Sequence, residues 1–130
     1  MTFEPIPERT EQLATAVMDA AFEVHRRLGP GLLESVYEAC LRYELGKRRI
    51  PFQSQVSLPV VYDGVRLDAG LRLDLLVDDL IIVELKSVEK IIPLHEAQLL
   101  TYLKLTAKRL GLLFNFNSDL LKHGFKRIVL

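Results

Sequence analysis

The sequence predicts one α/β (α+β) domain, residues 1–130, with the element order α-α-β-β-β-α-β-β. Three features predict it. The chain before Pro51 carries apolar residues at helical spacing; the chain after it breaks into short apolar and β-branched runs; a single helical stretch, 94–107, interrupts those runs.

Residues 11–28 read as the first helix, because Leu13, Val17, Ala20, Ala21, Val24 and Leu28 form one stripe. Gly29-Pro30-Gly31 ends it. The second helix, 32–47, turns Leu33, Val36, Tyr37, Cys40, Leu41 and Leu45 inward. Residues 54–62 are extended, and Asp63-Gly64 marks a tight hairpin. Residues 65–77 form a longer strand with a bulge at Ala69-Gly70. Asp78-Asp79 turns the chain into a third strand, 80–88. The third helix, 94–107, faces Leu99, Leu100 and Leu103 inward, and strands at 110–116 and 125–130 complete the chain.

Composition narrows the function classes. Hydrophobic residues at 49% and charged residues at 26% indicate a globular chain. No apolar run approaches the roughly 18 residues of a membrane span, so no membrane association is expected. MTFEPIPERTEQ lacks the basic-then-apolar order of a secretory signal. Cys40 is the only cysteine, which fits a reducing cytoplasm. Seventeen basic residues against 17 acidic ones exclude a strongly basic nucleic-acid coat protein. Basic residues still gather locally, as Lys104, Lys108, Arg109, Lys122, Lys126 and Arg127, and as Arg42, Lys47, Arg48 and Arg49. Each group reads equally well as a phosphate-holding face or as ordinary solvated surface.

The chemistry concentrates on the third strand. LIIVELKSV is apolar enough to be central, yet it carries Glu84 and Lys86 on one face. Buried charges of that kind must be paired, bound to metal or turned to a cleft. On the preceding strand Leu71, Leu73, Leu75 and Val77 alternate with Arg72, Asp74 and Leu76. The odd residues of both strands therefore belong to one core, and Asp74, Glu84 and Lys86 share the other face. A two-residue turn at Asp78-Asp79 opposes Asp74 to Val83 and splits the carboxylates. A three-residue turn opposes Asp74 to Glu84, and the alternation requires that arrangement. Two opposed carboxylates repel unless a cation lies between them, and their hard oxygens suit Mg²⁺ or Mn²⁺.

Asp74 followed by Glu84-Leu85-Lys86 resembles the D…(D/E)xK signature of the PD-(D/E)XK nuclease superfamily. Gln98 to Tyr102 is similar to the QxxxY motif of RecB-like nucleases, and Gly31 to Tyr37 to the signature of the GxxExxY protein family within that superfamily. The likeness runs from about residue 12 to 130. It departs at Leu73, which stands where the superfamily's proline precedes the aspartate. The resemblance implies a restriction-endonuclease-like core, a mixed β-sheet flanked by helices. It implies a Mg²⁺- or Mn²⁺-dependent nuclease acting on nucleic acid, DNA in the first instance. Asp74, Glu84, the backbone carbonyl of Leu85 and Glu34 are the implied metal ligands, and Asp74, Glu84, Lys86, Glu34 and Gln98 the implied catalytic set. Tyr102 and Lys104 are the expected substrate contacts, and Tyr37 a packing residue.

For Glu34 the plainer reading is a carboxylate answering a helix dipole. For Tyr102 it is an amphipathic core position. His25 is expected at the core boundary, His95 at the start of the third helix and His123 in a polar loop; none has zinc-site spacing. Two other functions compete with the nuclease. One is a non-catalytic nucleic-acid- or partner-binding module on the same fold. The other is a hydrolase of a small phosphodiester, which needs a closed pocket. The chain's size and zero charge favour a homodimer or a partner protein that extends the surface.

Overall fold

The computed structural model describes residues 4–130; the first three residues of the expected domain lie outside it. The elements run α1 (Glu8–Leu28), α2 (Glu34–Lys47), β1 (Phe52–Tyr62), β2 (Val65–Val77), β3 (Ile81–Lys86), α3 (Pro93–Thr106), β4 (Leu110–Asn115), a 3₁₀ turn (Leu121–Gly124) and β5 (Phe125–Val129). The expected order holds, with the 3₁₀ turn added. The five strands form one sheet in sequence order. β3 and β4 are parallel and every other neighbour pair is antiparallel. This is the expected mixed sheet, and α3 is the crossover that the parallel pair requires.

α1 begins directly after Pro7, three residues earlier than its apolar stripe indicates. Glu8 and Glu11 lie in its first turn and His25, Arg26 and Arg27 in its last, matching the helix dipole at both ends. It ends at Gly29, whose φ of 69° lies in the left-handed region. α2 starts at Glu34, two residues later than expected. Leu33 is therefore outside the helix and 74% exposed, and Val36 is also exposed; neither faces inward. Glu44 is buried instead, with its charge met by Lys47 and Arg48 at 3.4 Å each.

The helices divide the core in two. α1 and α2 cover one sheet face, packing Val17, Ala21, Tyr37 and Leu41 against Leu75, Val77, Ile81, Val83, Leu85 and Phe114. α3 covers the other face, with Leu99, Tyr102 and Leu103 against Leu73, Leu76, Ile82 and Leu113. Leu73 corrects the expected alternation, because it lies in the second core while Leu75 lies in the first. β1 does the same: Phe52 packs on the first core, Val56 and Leu58 on the second. Pairing of Ser54 with Leu75 and of Val56 with Leu73 puts Gln55 opposite Asp74. Gln55 has φ 52°, and one left-handed residue inverts the pleat. Both strands thus exchange faces across one residue pair, and Asp74 is a member of that pair.

The turn between β2 and β3 has three residues. Val77 pairs with Ile81, Leu80 N–H donates to Val77 O at 2.9 Å, and Asp78 and Asp79 both take positive φ. Asp63 (φ 54°) and Gly64 (φ 73°) make the tight hairpin, and the β1–β2 register shifts between Leu58 and Val60, opposite the expected bulge near Gly70.

Several basic residues hold the fold together. Lys108 pairs with Asp79 at 3.1 Å, Arg127 pairs with Glu11, and Arg109 donates to Glu4 O at 2.6 Å and to Pro5 O at 3.2 Å. Of the carboxy-terminal group, Lys104, Lys122 and Lys126 remain exposed for other work.

Candidate active site

β3 is buried on both faces until Lys86, so of its two charged residues Glu84 stays buried and only Lys86 begins to emerge, at the carboxyl end. The β2–β3 ladder runs from Val77–Ile81 to Leu75–Val83 and then forks. At the fork, side chains replace backbone partners. Leu85 N–H donates to Asp74 Oδ2 at 2.8 Å, and Asp74 N–H donates to Glu84 Oε1 at 3.4 Å. The two carboxyl groups converge, as the three-residue turn requires.

The electrostatics follow from that convergence. Glu84 is 6% exposed. Burial, then the Asp74 charge, push its carboxyl up to about 9, and Lys86 pulls the other way. Glu34 is raised in the same direction by partial burial and by Asp74, again opposed by Lys86. Tyr102 is raised by burial and then by the charges of Glu84 and Asp74. Asp74, Glu84, Lys86, Glu34 and Tyr102 therefore occupy one electrostatic neighbourhood, although α2, β2, β3 and α3 supply them separately.

A knit of three loops holds Glu34 there. The Tyr37 hydroxyl donates to Gly29 O at 2.6 Å and accepts from Leu32 N–H at 3.1 Å. Its ring stacks on Phe116 with centroids 4.7 Å apart. Gly31, at φ 99°, donates its N–H to Asn117 Oδ1 at 3.0 Å. Ser87 Oγ donates to Leu32 O at 2.6 Å, joining this loop to the end of β3. The glycine and the tyrosine of the Gly31–Tyr37 segment thus shape the loop that carries the glutamate. Tyr37 is a packing residue, as expected.

Asn115, Asn117, Ser87 and Gln55 were not singled out in the sequence. Asn115 is buried; it accepts from Val88 N–H at 3.1 Å and donates to Val88 O at 2.9 Å, fixing the segment after Lys86. The signal was an amide at the end of an otherwise apolar run, LGLLFNFN, where a buried polar side chain needs partners. Asn115→Ala leaves Val88 N–H without its acceptor and Val88 O with only the longer bond from Asn117 Nδ2 at 3.3 Å, and is expected to cost about 1–3 kcal/mol. Thermal unfolding measures it; an unchanged Tm would mean that water replaces the amide.

The other expected residues separate. Gln98 is exposed on α3, one turn before Tyr102. Tyr102 is packed in the second core, so its ring has no free face for a base, and only its phenol edge senses the carboxylates. Lys104 is exposed and lies about 200° round the helix from Tyr102, away from that neighbourhood. His25 is buried with Nε2 2.8 Å from Ser118 O, His95 accepts Ile92 N–H at the start of α3, and His123 pairs with Asp119; all three are structural.

Among the described residues, no three His, Cys, Asp or Glu side chains converge as a metal-holding group. Direct ligation by Glu34 beside Asp74 and Glu84 is therefore not assembled. What converges is a pair of carboxylates, with the Leu85 carbonyl on the same strand. Their donor chemistry, hard oxygens with a repulsion that a cation relieves, fits a divalent ion that keeps most of its own waters. No described helix is long and apolar enough to cross a membrane.

A family model described as the PD-(D/E)XK nuclease superfamily matches residues 11–128. The match spans α1 to β5 and contains every residue of the site. No curated protein and no solved structure matches the chain.

Proposed function

The chain belongs to the PD-(D/E)XK nuclease superfamily, and from that membership we propose that it is a divalent-metal-dependent nuclease that hydrolyses phosphodiester bonds in nucleic acid, DNA first. The observation that carries this is the fork at Asp74, where a second, largely buried carboxyl group is forced against the first beside Lys86. A fold that only packs or only binds phosphate gains nothing from that repulsion.

Asp74 and Glu84 would hold Mg²⁺ or Mn²⁺, helped by the Leu85 carbonyl, with Glu34 acting through water. When bound, the ion supplies Lewis acidity toward the scissile phosphate and toward an attacking water. The chain's own part is positional. Leu85 N–H orients the Asp74 carboxylate. Burial keeps Glu84 from ionising until a cation compensates it. Lys86 offers an ammonium to the attacking water or to the charge that grows on the phosphate oxygens. Gln98, exposed on α3 one turn before Tyr102, would offer its amide to a phosphate oxygen or a water. The lone thiol of Cys40 is free, which suits a reducing compartment such as the cytoplasm.

The test is cleavage of single- and double-stranded DNA and RNA with Mg²⁺, with Mn²⁺ and with chelator. Cleavage is expected with either ion and none with chelator. Binding without cleavage under every condition would replace the nuclease with a binding module.

A further inference from the structure

Beyond its bulge, the β1–β2 ribbon leaves the body of the sheet, and residues 61–70 are all exposed. Val60 pairs with Leu67 and Tyr62 with Val65, so these four side chains share one face of the ribbon. That face is wholly apolar, and Tyr62 is 73%, Val65 54% and Leu67 45% exposed. A two-stranded ribbon is marginal in water on its own, and an uncovered apolar face worsens it.

We propose that the arm seats its apolar face in the groove between α1 and α2 of a second copy of the chain, in a reciprocal, two-fold exchange. Three observations select that occupant. The arm carries Asp63 and Asp68 against Arg66 alone, so its charge repels phosphates and disfavours nucleic acid. The carboxyl-terminal ends of α1 and α2, beside the groove, have the opposite balance, Arg26, Arg27, Lys47 and Arg48 against Glu23 and Glu44. Between those helices lies an open groove of about 260 Å³ with Val24, Leu28, Cys40 and Tyr43 on its walls, large enough to admit a tyrosine ring.

Area decides between a second copy and an unrelated partner. The four side chains of the arm offer roughly 400 Å², taking the upper range for the aromatic and less for each aliphatic. A standard interface needs about 800 Å² per partner. One arm in one groove reaches half of that. In a reciprocal exchange each chain contributes both an arm and a groove, and the requirement is met.

Sedimentation of the full chain across about 1–100 µM is expected to show twice its monomer mass. Tyr62→Asp on the arm and Ala39→Arg at the groove are each expected to give monomers with unchanged circular dichroism. Because both lie on the surface and on different elements, a folding defect does not mimic the paired result. Tyr62→Cys supplies the positive arm. Under oxidation it is expected to cross-link to the native Cys40 of the other copy, and Cys40→Ser in the same background abolishes that bond. A wild type that is monomeric throughout overturns the proposal. So does a dimer that survives both surface substitutions, or a Tyr62→Cys cross-link that persists without Cys40. If Tyr62→Asp leaves mass unchanged but weakens nucleic-acid binding, the arm contacts substrate and the proposal fails.

Discussion

Asp74→Asn is expected to lose Mn²⁺ binding and with it cleavage, whereas Lys86→Ala keeps the ion and loses only rate. The two substitutions act on opposite charges in one neighbourhood. Asparagine removes a full negative charge from a hard-cation site, yet its carbonyl oxygen can still accept Leu85 N–H, so the fork persists. Alanine at position 86 removes the cation that lowers the pKa of both Glu84 and Glu34. The site becomes more negative, and ion affinity holds or rises. Loss of a transition-state charge contact costs about 10²–10³ in rate. Calorimetric titration with Mn²⁺ and turnover on the same samples separate the effects. Equal loss of ion affinity in both variants would mean that Lys86 supports the fold and not the reaction.

The chelated protein is expected to lose stability steadily as pH rises, and a divalent ion to restore it. Glu84 ionises near 4.5 when unfolded and is pushed up to about 9 in the fold, by burial first and by Asp74 second. Between those values the folded chain holds a proton that the unfolded chain has released. The Glu84 contribution is therefore fully present below about 4.5 and is lost as pH rises through about 9. Glu34, raised as well, acts in the same sense. Since about 1 kcal/mol moves Tm by a few degrees in a chain of this size, a fall on the order of 10 °C between pH 5 and 9 is expected. Glu84→Gln mimics the protonated carboxyl and should flatten the curve. Mn²⁺ at pH 8 should raise the Tm of the wild type and not that of Glu84→Gln. A wild-type Tm that does not fall with pH in chelator would remove the repulsion on which the site reading depends.

The site was legible where parity governs. Two apolar strands with charges at alternate positions admit one register that unites Asp74 with Glu84, and the three-residue turn supplies it. Element order was legible because Gly, Pro and Asp-Gly signals punctuate the chain. Leu73 was not, because the face exchange depends on a left-handed residue at Gln55, a residue type with no special preference for that conformation. Leu33 and Val36 misled for a related reason. Leu32 and Leu33 continue the apolar spacing of α2 backwards into the loop, so periodicity does not show where the helix begins, and Val36 lies inside α2 on an exposed side. Ser87 was silent, and the amide of Asn115 signalled only that it needs partners, because those partners are backbone groups far away in sequence and a pattern of residue types does not record them.

The loop knit behind Glu34 sets how the protein opens. Amides of exposed loops ordinarily exchange with deuterium in seconds, yet those of Gly31, Leu32, Val88 and Asn117 all have side-chain acceptors, and the bonds of Gly31 and Val88 join separate segments. Their protection is expected to follow the core and not the surface, which hydrogen exchange measures. The same coupling reaches the thermodynamics of association. A loop already ordered in the free protein brings no folding transition to a ligand, and the heat-capacity change on nucleic-acid binding should be that of docking rigid surfaces. The end of the molecule that carries the carboxylate pair is thus the one that its loops tie together.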